Sequence, residues 1–159
     1  MQRAWGRVGE KTKLTTVKKR ASCTIFGALN IVSKKCYWKT SQKGNAEAFI
    51  AFLRQLRQSF STGTIVLILD NASIHRSKKV QKFLKEKAWI EILHIPPYSP
   101  ELNPIERFWG WLKAKIYSKK EFSDLKMLIK KVRKIMWHYN ENRLTKRINF
   151  KFEMYSNML

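Results

Sequence analysis

The sequence predicts one domain of the α/β class, and three observations lead to this prediction. First, 159 residues with 44% hydrophobic and 13% aromatic content can bury a single core. Second, two short apolar runs, Ile65–Leu69 and Ile90–Ile95, are typical of strands, and the first suits a strand buried on both faces. Third, the segments around these runs carry apolar residues at steps of three and four, the period of helices that pack on a sheet.

The amino-terminal part of the chain predicts an arm, a hairpin and a helix. Residues 1–20 show no period and are predicted to be a basic arm or loop, whose cations either contact phosphates or form a solvated tail. Ala21–Ile31 and Lys35–Thr40 have the composition of two strands joined by a short turn, so we expect an antiparallel hairpin. Asn45 is expected to cap a helix that ends near Phe60.

Two carboxylates stand at the ends of predicted elements. Asp70 directly follows the Ile65–Leu69 strand, and ligands in open α/β sheets bind at the carboxyl ends of strands. Glu106 is the third residue of a helix that Asn103 is expected to cap and Pro104 to begin. A Pro-rich turn precedes this helix and forbids a regular strand there. Two hard oxygen ligands on rigid elements are what a Mg²⁺ or Mn²⁺ site for phosphoryl transfer needs.

A structural role is an alternative for both carboxylates. Asp70 can hydrogen-bond its own downstream backbone in a loop, and Glu106 can close a capping box with Asn103 and interact favourably with the helix dipole. Taken singly, each residue favours the structural interpretation. The pair favours a site, because a chain with only 11 acidic residues places one after a strand and another behind a rigid turn.

The carboxyl-terminal part predicts further amphipathic helices. Trp109 and Trp111, on the helix of Glu106, are predicted to pack in the core rather than to stack on bases. The last helix is predicted from about Ser123 to Tyr139, with a basic outer face that either contacts phosphates or is simply solvated. The tail from 141 to 159 is assigned no role.

The charge balance predicts a polyanionic partner. The chain has 33 Lys and Arg against 11 Asp and Glu, a net charge of +22 and a pI near 10.3. Nucleic acid is the leading expectation, and a ribosomal or merely solubilising surface is the alternative. Eight cations are the candidate nucleic-acid-binding residues: Arg76, Lys78, Lys79, Arg107, Lys113, Lys115, Lys130 and Lys134.

Cysteine usage and hydropathy limit the cellular compartments in which the protein is expected. Cys23 and Cys36 have no metal-ligand spacing with each other or with the three histidines, so zinc is not expected and the thiols are expected to stay reduced. No apolar segment has the length of a membrane span or a signal peptide. We therefore expect an intracellular, cytoplasmic and nucleoid-associated protein without a membrane partner.

Two motifs carry a resemblance to a known family. They are LDNASIH at 69–75 and PPYSPELNPIERFWGWLK at 96–113, and 35 residues separate Asp70 from Glu106. The motifs resemble those of the catalytic half of DDE transposases of the insertion-sequence and mariner type. The second motif is long and specific, and the family pattern covers roughly residues 5–140.

The resemblance implies a fold, a cofactor and a set of site residues. The fold is a ribonuclease-H-like mixed sheet flanked by helices, here with a core at 21–116 and a basic amphipathic helix within 121–140. The partner is DNA, both transposon ends and target, and the cofactor is Mg²⁺ or Mn²⁺. Asp70 and Glu106 match the second and third catalytic carboxylates, which hold the metal. Asn71, His75 and Asn103 match positions that orient the carboxylates or meet a phosphate, and a structural hydrogen bond is the alternative for His75.

The chain departs from the family pattern at the first catalytic Asp. Family members carry it on the first strand of the fold, shortly before a segment like residues 3–9, and no Asp precedes Asp70 here. Of the earlier acids, Glu10 stands in a basic loop and Glu47 is explained by the dipole of its helix. We therefore expect a partial catalytic domain that lacks its first strand and is inactive alone.

The missing strand leads to an expectation about partners. An upstream transposase segment or a second chain, including one in a homodimer, is expected to supply the first Asp. Otherwise the Ile65–Leu69 strand has to pair directly with the Ala21–Ile31 strand or remain marginal. The alternative function is a non-catalytic basic DNA-binding remnant of a transposase.

Overall fold

A computed structural model describes residues 22–96, 103–117 and 124–142, and these residues form a mixed α/β structure, as predicted. The elements along the chain are β1 (Thr24–Leu29), β2 (Cys36–Ser41), α1 (Ala46–Ser59), β3 (Ile65–Leu69), α2 (Lys78–Lys85), β4 (Ile90–His94), α3 (Pro104–Tyr117) and α4 (Leu125–Asn142). None of the described helices is long and apolar enough to cross a lipid bilayer. The predicted arm at 1–20 and residues 143–159 of the predicted tail lie outside the described residues.

The predicted hairpin is confirmed. β1 and β2 pair antiparallel, with Thr24 opposite Ser41 and Leu29 opposite Cys36. The turn between them is held by Asn30, whose Oδ1 accepts hydrogen bonds from the amides of Val32 at 3.0 Å and Ser33 at 2.7 Å. Such side-chain bonds to the downstream backbone are the reason that Asn favours turns.

A second sheet is formed by β3 and β4. The two strands run parallel, with Ile65 opposite Ile90 and Leu69 opposite His94, and α2 makes the crossover between them. Ser77 caps α2 by accepting a hydrogen bond from the amide of Val80. Parallel pairing places the carboxyl ends of both strands at the same edge, where Asp70 follows β3.

The expectation that β3 is buried on both faces is wrong. Val66 is 40% exposed, and the other four residues of the strand are only half-buried. Among the described residues β3 pairs with β4 alone, and it makes no ladder with β1, so direct pairing of these two strands is also not observed. Within the described residues, the N–H and C=O groups on the other edge of β3 therefore have no ladder partner.

Side chains of β1 alternate between two cores, as the twofold period of a strand requires. Phe26 and Ala28 pack against α1, whereas Ile25 and Leu29 pack against α3 and α4. The first core contains Phe49, Ile50, Phe52, Leu53, Leu56, Val80, Phe83 and Ile90. The second contains Cys36, Phe108, Leu112, Ile116, Val132, Met136 and Tyr139. The hairpin is thus a layer between two helical layers.

The predicted bounds of the last helix are wrong at both ends. The helix begins at Leu125 rather than Ser123, because the carboxylate of Asp124 accepts a hydrogen bond from the amide of Met127 at 2.8 Å and so acts as the cap. It continues past Tyr139 to residue 142, since Asn140 exchanges two hydrogen bonds of 2.9 Å with the backbone of Cys36. These bonds tether α4 to β2.

Candidate active site

A cavity of about 430 Å³ lies between β1 and β3. The two strands form its mostly apolar walls, and the start of α3 closes one side. The polar side chains that line it include Asn30, Asp70, His75, Asn103 and Glu106. Four of these five are residues that the sequence analysis singled out, so the structure brings most of the predicted site to one place.

Asp70 lies at the carboxyl end of β3 with its side chain 51% exposed. Its Oδ1 accepts a hydrogen bond from the amide of Ala72 at 3.1 Å, which is the loop-capping role considered for it. The same oxygen lies 2.9 Å from Nδ1 of His75. The structural role and a role in a site are therefore compatible, because the carboxylate is oriented by these contacts and still faces the cavity.

His75 is held firmly beside Asp70. Its Nδ1 lies within hydrogen-bond distance of both the side chain and the backbone oxygen of Asp70, at 2.9 and 3.2 Å. Its ring lies 4.7 Å from the ring of Phe49, and only 15% of its side chain is exposed. The imidazole thus orients Asp70 when a proton is on Nδ1.

Asn71 makes its described contact away from the carboxylates. Its Nδ2 donates a hydrogen bond to the backbone oxygen of Ile95 at 3.1 Å. The amide of Ile95 in turn donates to the backbone oxygen of Leu69 at 2.8 Å. The ends of β3 and β4 are therefore tied together, which fixes the loop that carries Asp70.

Glu106 lies in the first turn of α3 and is exposed. The helix begins at Pro104, as predicted, and the amide of Glu106 donates to the backbone oxygen of Asn103 at 3.1 Å. A carboxylate in the first turn interacts favourably with the helix dipole. A side-chain cap by Asn103 stays a prediction, but Asn103 and Glu106 both line the cavity.

The side chains that line the cavity are of the type that binds a hard divalent cation, since Asp70 and Glu106 offer carboxylates and Asn103 offers an amide oxygen. Among the residues at 22–96, 103–117 and 124–142, no group of three or more His, Cys, Asp and Glu side chains converges on one point. Glu47 is engaged elsewhere, because it forms an ion pair with Lys79, and hydrogen bonding to Lys79 lowers the pKa of Glu47. Glu10 lies outside the described residues.

The eight candidate nucleic-acid-binding cations are all exposed and belong to three groups. Arg76, Lys78 and Lys79 lie at the start of α2, near Asp70, although Lys79 is paired with Glu47. Arg107, Lys113 and Lys115 lie on α3, and Lys130 and Lys134 lie on α4. The second group thus shares α3 with Glu106, and the first group follows Asp70 in sequence by six to nine residues.

Gly27, which was not among the predicted site residues, shapes a wall of the cavity. A Cβ atom at this position would lie 2.6 Å from Cη2 and 2.8 Å from Cζ2 of Trp109. The predicted core position of Trp109 is confirmed, and the ring packs directly on the backbone of β1. An isolated Gly within a strand pattern often marks such a close approach and was the available signal.

A family model described as DDE superfamily endonuclease matches residues 1–129. The chain is 31% identical over 133 residues to an uncharacterized 39 kDa protein of insertion element IS630 from Shigella sonnei, covering 83% of this chain and 39% of that protein. It is 45% identical over 49 residues to the transposase of transposable element Tc3 from Caenorhabditis elegans, covering 31% of this chain and 15% of that protein.

A solved structure shares the fold. The similar chain belongs to the cryo-EM structure of the simian T-cell lymphotropic virus intasome in complex with the PP2A regulatory subunit B56 gamma, with a TM-score of 0.59 and 16% identity. The match covers 74% of this chain and 42% of that chain. The chain therefore spans less than half the length of each of these three proteins.

Proposed function

The chain belongs to the family of DDE superfamily endonucleases, and on that premise we propose that it serves DNA transposition, by metal-dependent cleavage and transfer of DNA strands. The resemblance to transposases of the insertion-sequence and mariner type agrees with the two relatives named for mobile elements. We take residues 1–159 as one partial catalytic domain, which works in the cell as part of a nucleoid-associated complex on DNA.

One observation carries the proposal: Asp70 and Glu106, 35 residues apart in sequence, line the same cavity. Each is positioned by a rigid element, the end of β3 for Asp70 and the first turn of α3 for Glu106. In the proposal they are the metal ligands and catalytic carboxylates. The chemistry supplied by a bound Mg²⁺ or Mn²⁺ is activation of a water or 3′-hydroxyl and stabilisation of the leaving oxygen of a phosphodiester.

The other predicted site residues have supporting roles in this proposal. His75 holds the Asp70 carboxylate in one orientation through the 2.9 Å contact, and Asn71 fixes the loop through Ile95. Asn103 lines the cavity, and its backbone oxygen accepts a hydrogen bond from the amide of Glu106. These residues position groups rather than react, so their loss is expected to weaken metal binding about 10- to 100-fold.

DNA is held mainly through its phosphates. The proposed contacts come from the exposed cations near the carboxylates and on α3 and α4: Arg76, Lys78, Lys79, Arg107, Lys113, Lys115, Lys130 and Lys134. A net charge of +22 favours such binding without strong sequence preference. The observed affinity should fall steeply as the salt concentration rises.

We further propose that a strand bearing a third carboxylate completes the site. The cavity is lined along its length by β1 and β3, and among the described residues no ladder joins these two strands. An extended segment between them would pair with both edges, as in strand addition to an open sheet. An upstream transposase segment or a second chain, such as a homodimer partner, can supply it. The 159-residue chain alone is then expected to bind a metal weakly and to leave DNA uncut.

The metal site is tested by Mn²⁺ titration of three variants. Asp70→Asn and Glu106→Gln should weaken binding strongly, because each removes an anionic ligand. Glu47→Gln is the matched control, since Glu47 lies on α1 and pairs with Lys79. All three should keep the wild-type circular dichroism spectrum. Equal Mn²⁺ affinity in Asp70→Asn and the control would contradict the assignment.

A nicking assay tests the completed site. Plasmid DNA with Mg²⁺ should stay uncut with the chain alone and be nicked when an Asp-bearing strand segment is fused or added in trans. Mg²⁺-dependent cleavage by the chain alone, abolished by Asp70→Asn, would show that the added strand is unnecessary.

A non-catalytic DNA-binding remnant is the second candidate function. This alternative is favoured because the described residues provide only two carboxylates at the site, and because the helices beside it carry exposed cations. Salt-dependent DNA binding together with no Mn²⁺ binding, even after a strand is added, would select this alternative.

A further inference from the structure

Trp137 is an exposed aromatic residue on α4, with 59% of its surface accessible. Its neighbours on the inner side of the helix, Val132, Met136 and Tyr139, are buried in the second core. The Trp137 ring instead lies 5.1 Å from the ring of His138, near the carboxyl end of the helix. Burial in the described core therefore does not explain a tryptophan at this position.

Three cations precede Trp137 on the same helical face, and one exposed acidic residue, Glu141, follows it by four residues. With 3.6 residues per turn, residues three, four and seven positions apart lie on one side of a helix. Lys130, Arg133 and Lys134 precede Trp137 by seven, four and three residues, and all four are exposed. This set, which we call the α4 face, presents one flat aromatic ring and three positive charges to solvent.

We propose that the α4 face binds single-stranded nucleic acid, with Trp137 stacking on an unpaired base and the three cations contacting the adjacent phosphates. Aromatic rings set among basic side chains are the common elements of single-strand binding surfaces, because every base has a face for stacking and every nucleotide has a phosphate. A paired base is already stacked on its neighbours, so a side chain on a convex helix can stack only on a base that is unpaired.

The inference rests on the proposed function in taking nucleic acid as the partner and in using Lys130 and Lys134 as phosphate contacts. The cavity with Asp70 and Glu106 is lined by no residue of α4, so the α4 face is a separate surface. Binding there needs neither the metal nor a third carboxylate. An unpaired strand, as arises where a duplex end frays or is cut, would thus be held apart from the reacting phosphodiester.

The test uses the full chain and three fluorescent probes of equal length: an oligothymidine, its abasic counterpart and a duplex. Trp137→Ala should weaken oligothymidine binding on the order of tenfold, the range of one stacked base. Binding to the abasic strand and to the duplex should change little, because neither offers an unpaired base. Trp137→Phe should restore part of the loss, since a smaller ring still stacks.

A charge variant supplies the matched control. Lys130→Gln combined with Lys134→Gln should weaken binding to the oligothymidine and the abasic strand, and should lower the salt dependence of both. Trp137→Ala should leave the salt dependence unchanged, because it removes no charge. Thermal unfolding of each variant should match wild type, as the exchanged side chains are exposed.

The outcomes separate the two proposals. Equal weakening of oligothymidine, abasic and duplex binding by Trp137→Ala, or no weakening at all, overturns the stacking role while salt-dependent DNA binding still supports the proposed function. Failure of the wild-type chain to bind any of the three probes at low salt overturns both.

Discussion

The two sheets of the molecule differ in how their faces are covered. The hairpin of β1 and β2 lies between two cores, and Asn140 on α4 bonds to the backbone of Cys36 at the start of β2. The sheet of β3 and β4 has an accessible strand, with Val66 40% exposed beside the cavity. The hairpin, which we call the closed sheet, stabilises the fold. The sheet of β3 and β4, which we call the open sheet, carries Asp70. Residues that stabilise the structure and residues proposed to act in it are therefore largely separate.

The largest difference between the two regions should come from truncating apolar side chains. Phe108→Ala should cost about 3–5 kcal/mol of unfolding free energy, because Phe108 is fully buried between α3, α4 and the hairpin. Val66→Ala should cost roughly 1 kcal/mol or less, since this side chain is already largely accessible. Urea unfolding of both variants measures the contrast. Equal costs would show that β3 is as well packed as the hairpin layer.

The contact between Gly27 and Trp109 gives the next largest effect. Gly27→Ala should destabilise the chain by about 1–3 kcal/mol, because the added Cβ would lie 2.6 Å from a rigid, packed indole ring. Gly110→Ala is the control on the facing helix. It meets nothing within 4 Å and should stabilise α3 by about 1 kcal/mol. Thermal melting should move in opposite directions for the two variants, and a shift of the same sign would contradict this explanation.

The two asparagine tethers should differ by a smaller amount. Asn140→Ala removes two hydrogen bonds to Cys36, a buried residue, and should cost about 1–3 kcal/mol. Asn71→Ala removes its bond to Ile95 and should cost about 0.5–1.5 kcal/mol. Urea unfolding ranks the two variants. A larger cost for Asn71→Ala would mean that the open sheet, not the hairpin, is the more tightly constrained.

The smallest expected effect is a difference in thiol reactivity. Burial raises the pKa of the Cys36 thiol well above its usual range, and only the thiolate reacts with iodoacetamide. Cys23 is only half-buried, so the native chain should be alkylated at this residue first. Mass spectrometry of tryptic peptides locates the modification. Fast alkylation of Cys36 in the native chain would show that the hairpin layer opens readily.

Local features of the fold were predictable because each depends on a short stretch of sequence. The hairpin, the cap at Asn45 and the start of α3 at Pro104 follow from residue types within a few positions of one another. The burial of β3 was not predictable, since an apolar run of five residues has the same pattern whether the second face of the strand is covered or open.

The site was predictable in part for a related reason. Asp70 and Glu106 were identified by position at element ends and by family motif, but that they line one cavity depends on the packing of α3 beside β3. The contact of His75 with Asp70 is local, within five residues, and could be anticipated only as one of two roles. The exposure of Trp137 was not anticipated, because periodicity assigns it to an outer face without stating how far the ring projects.

The tether between Asn140 and Cys36 also bears on how the chain is made. The two residues are 104 positions apart, so β2 leaves the ribosome long before the helix that completes its hydrogen bonds. At about 5–20 residues per second, the delay is roughly 5–20 s. During synthesis the β1–β2 hairpin lacks its carboxyl-terminal helical layer until α4 has been made, and the docking of that layer closes a long loop. Loss of α4 by early termination of translation would therefore release a product whose hairpin lacks the α4 residues of its second core, Val132, Met136 and Tyr139.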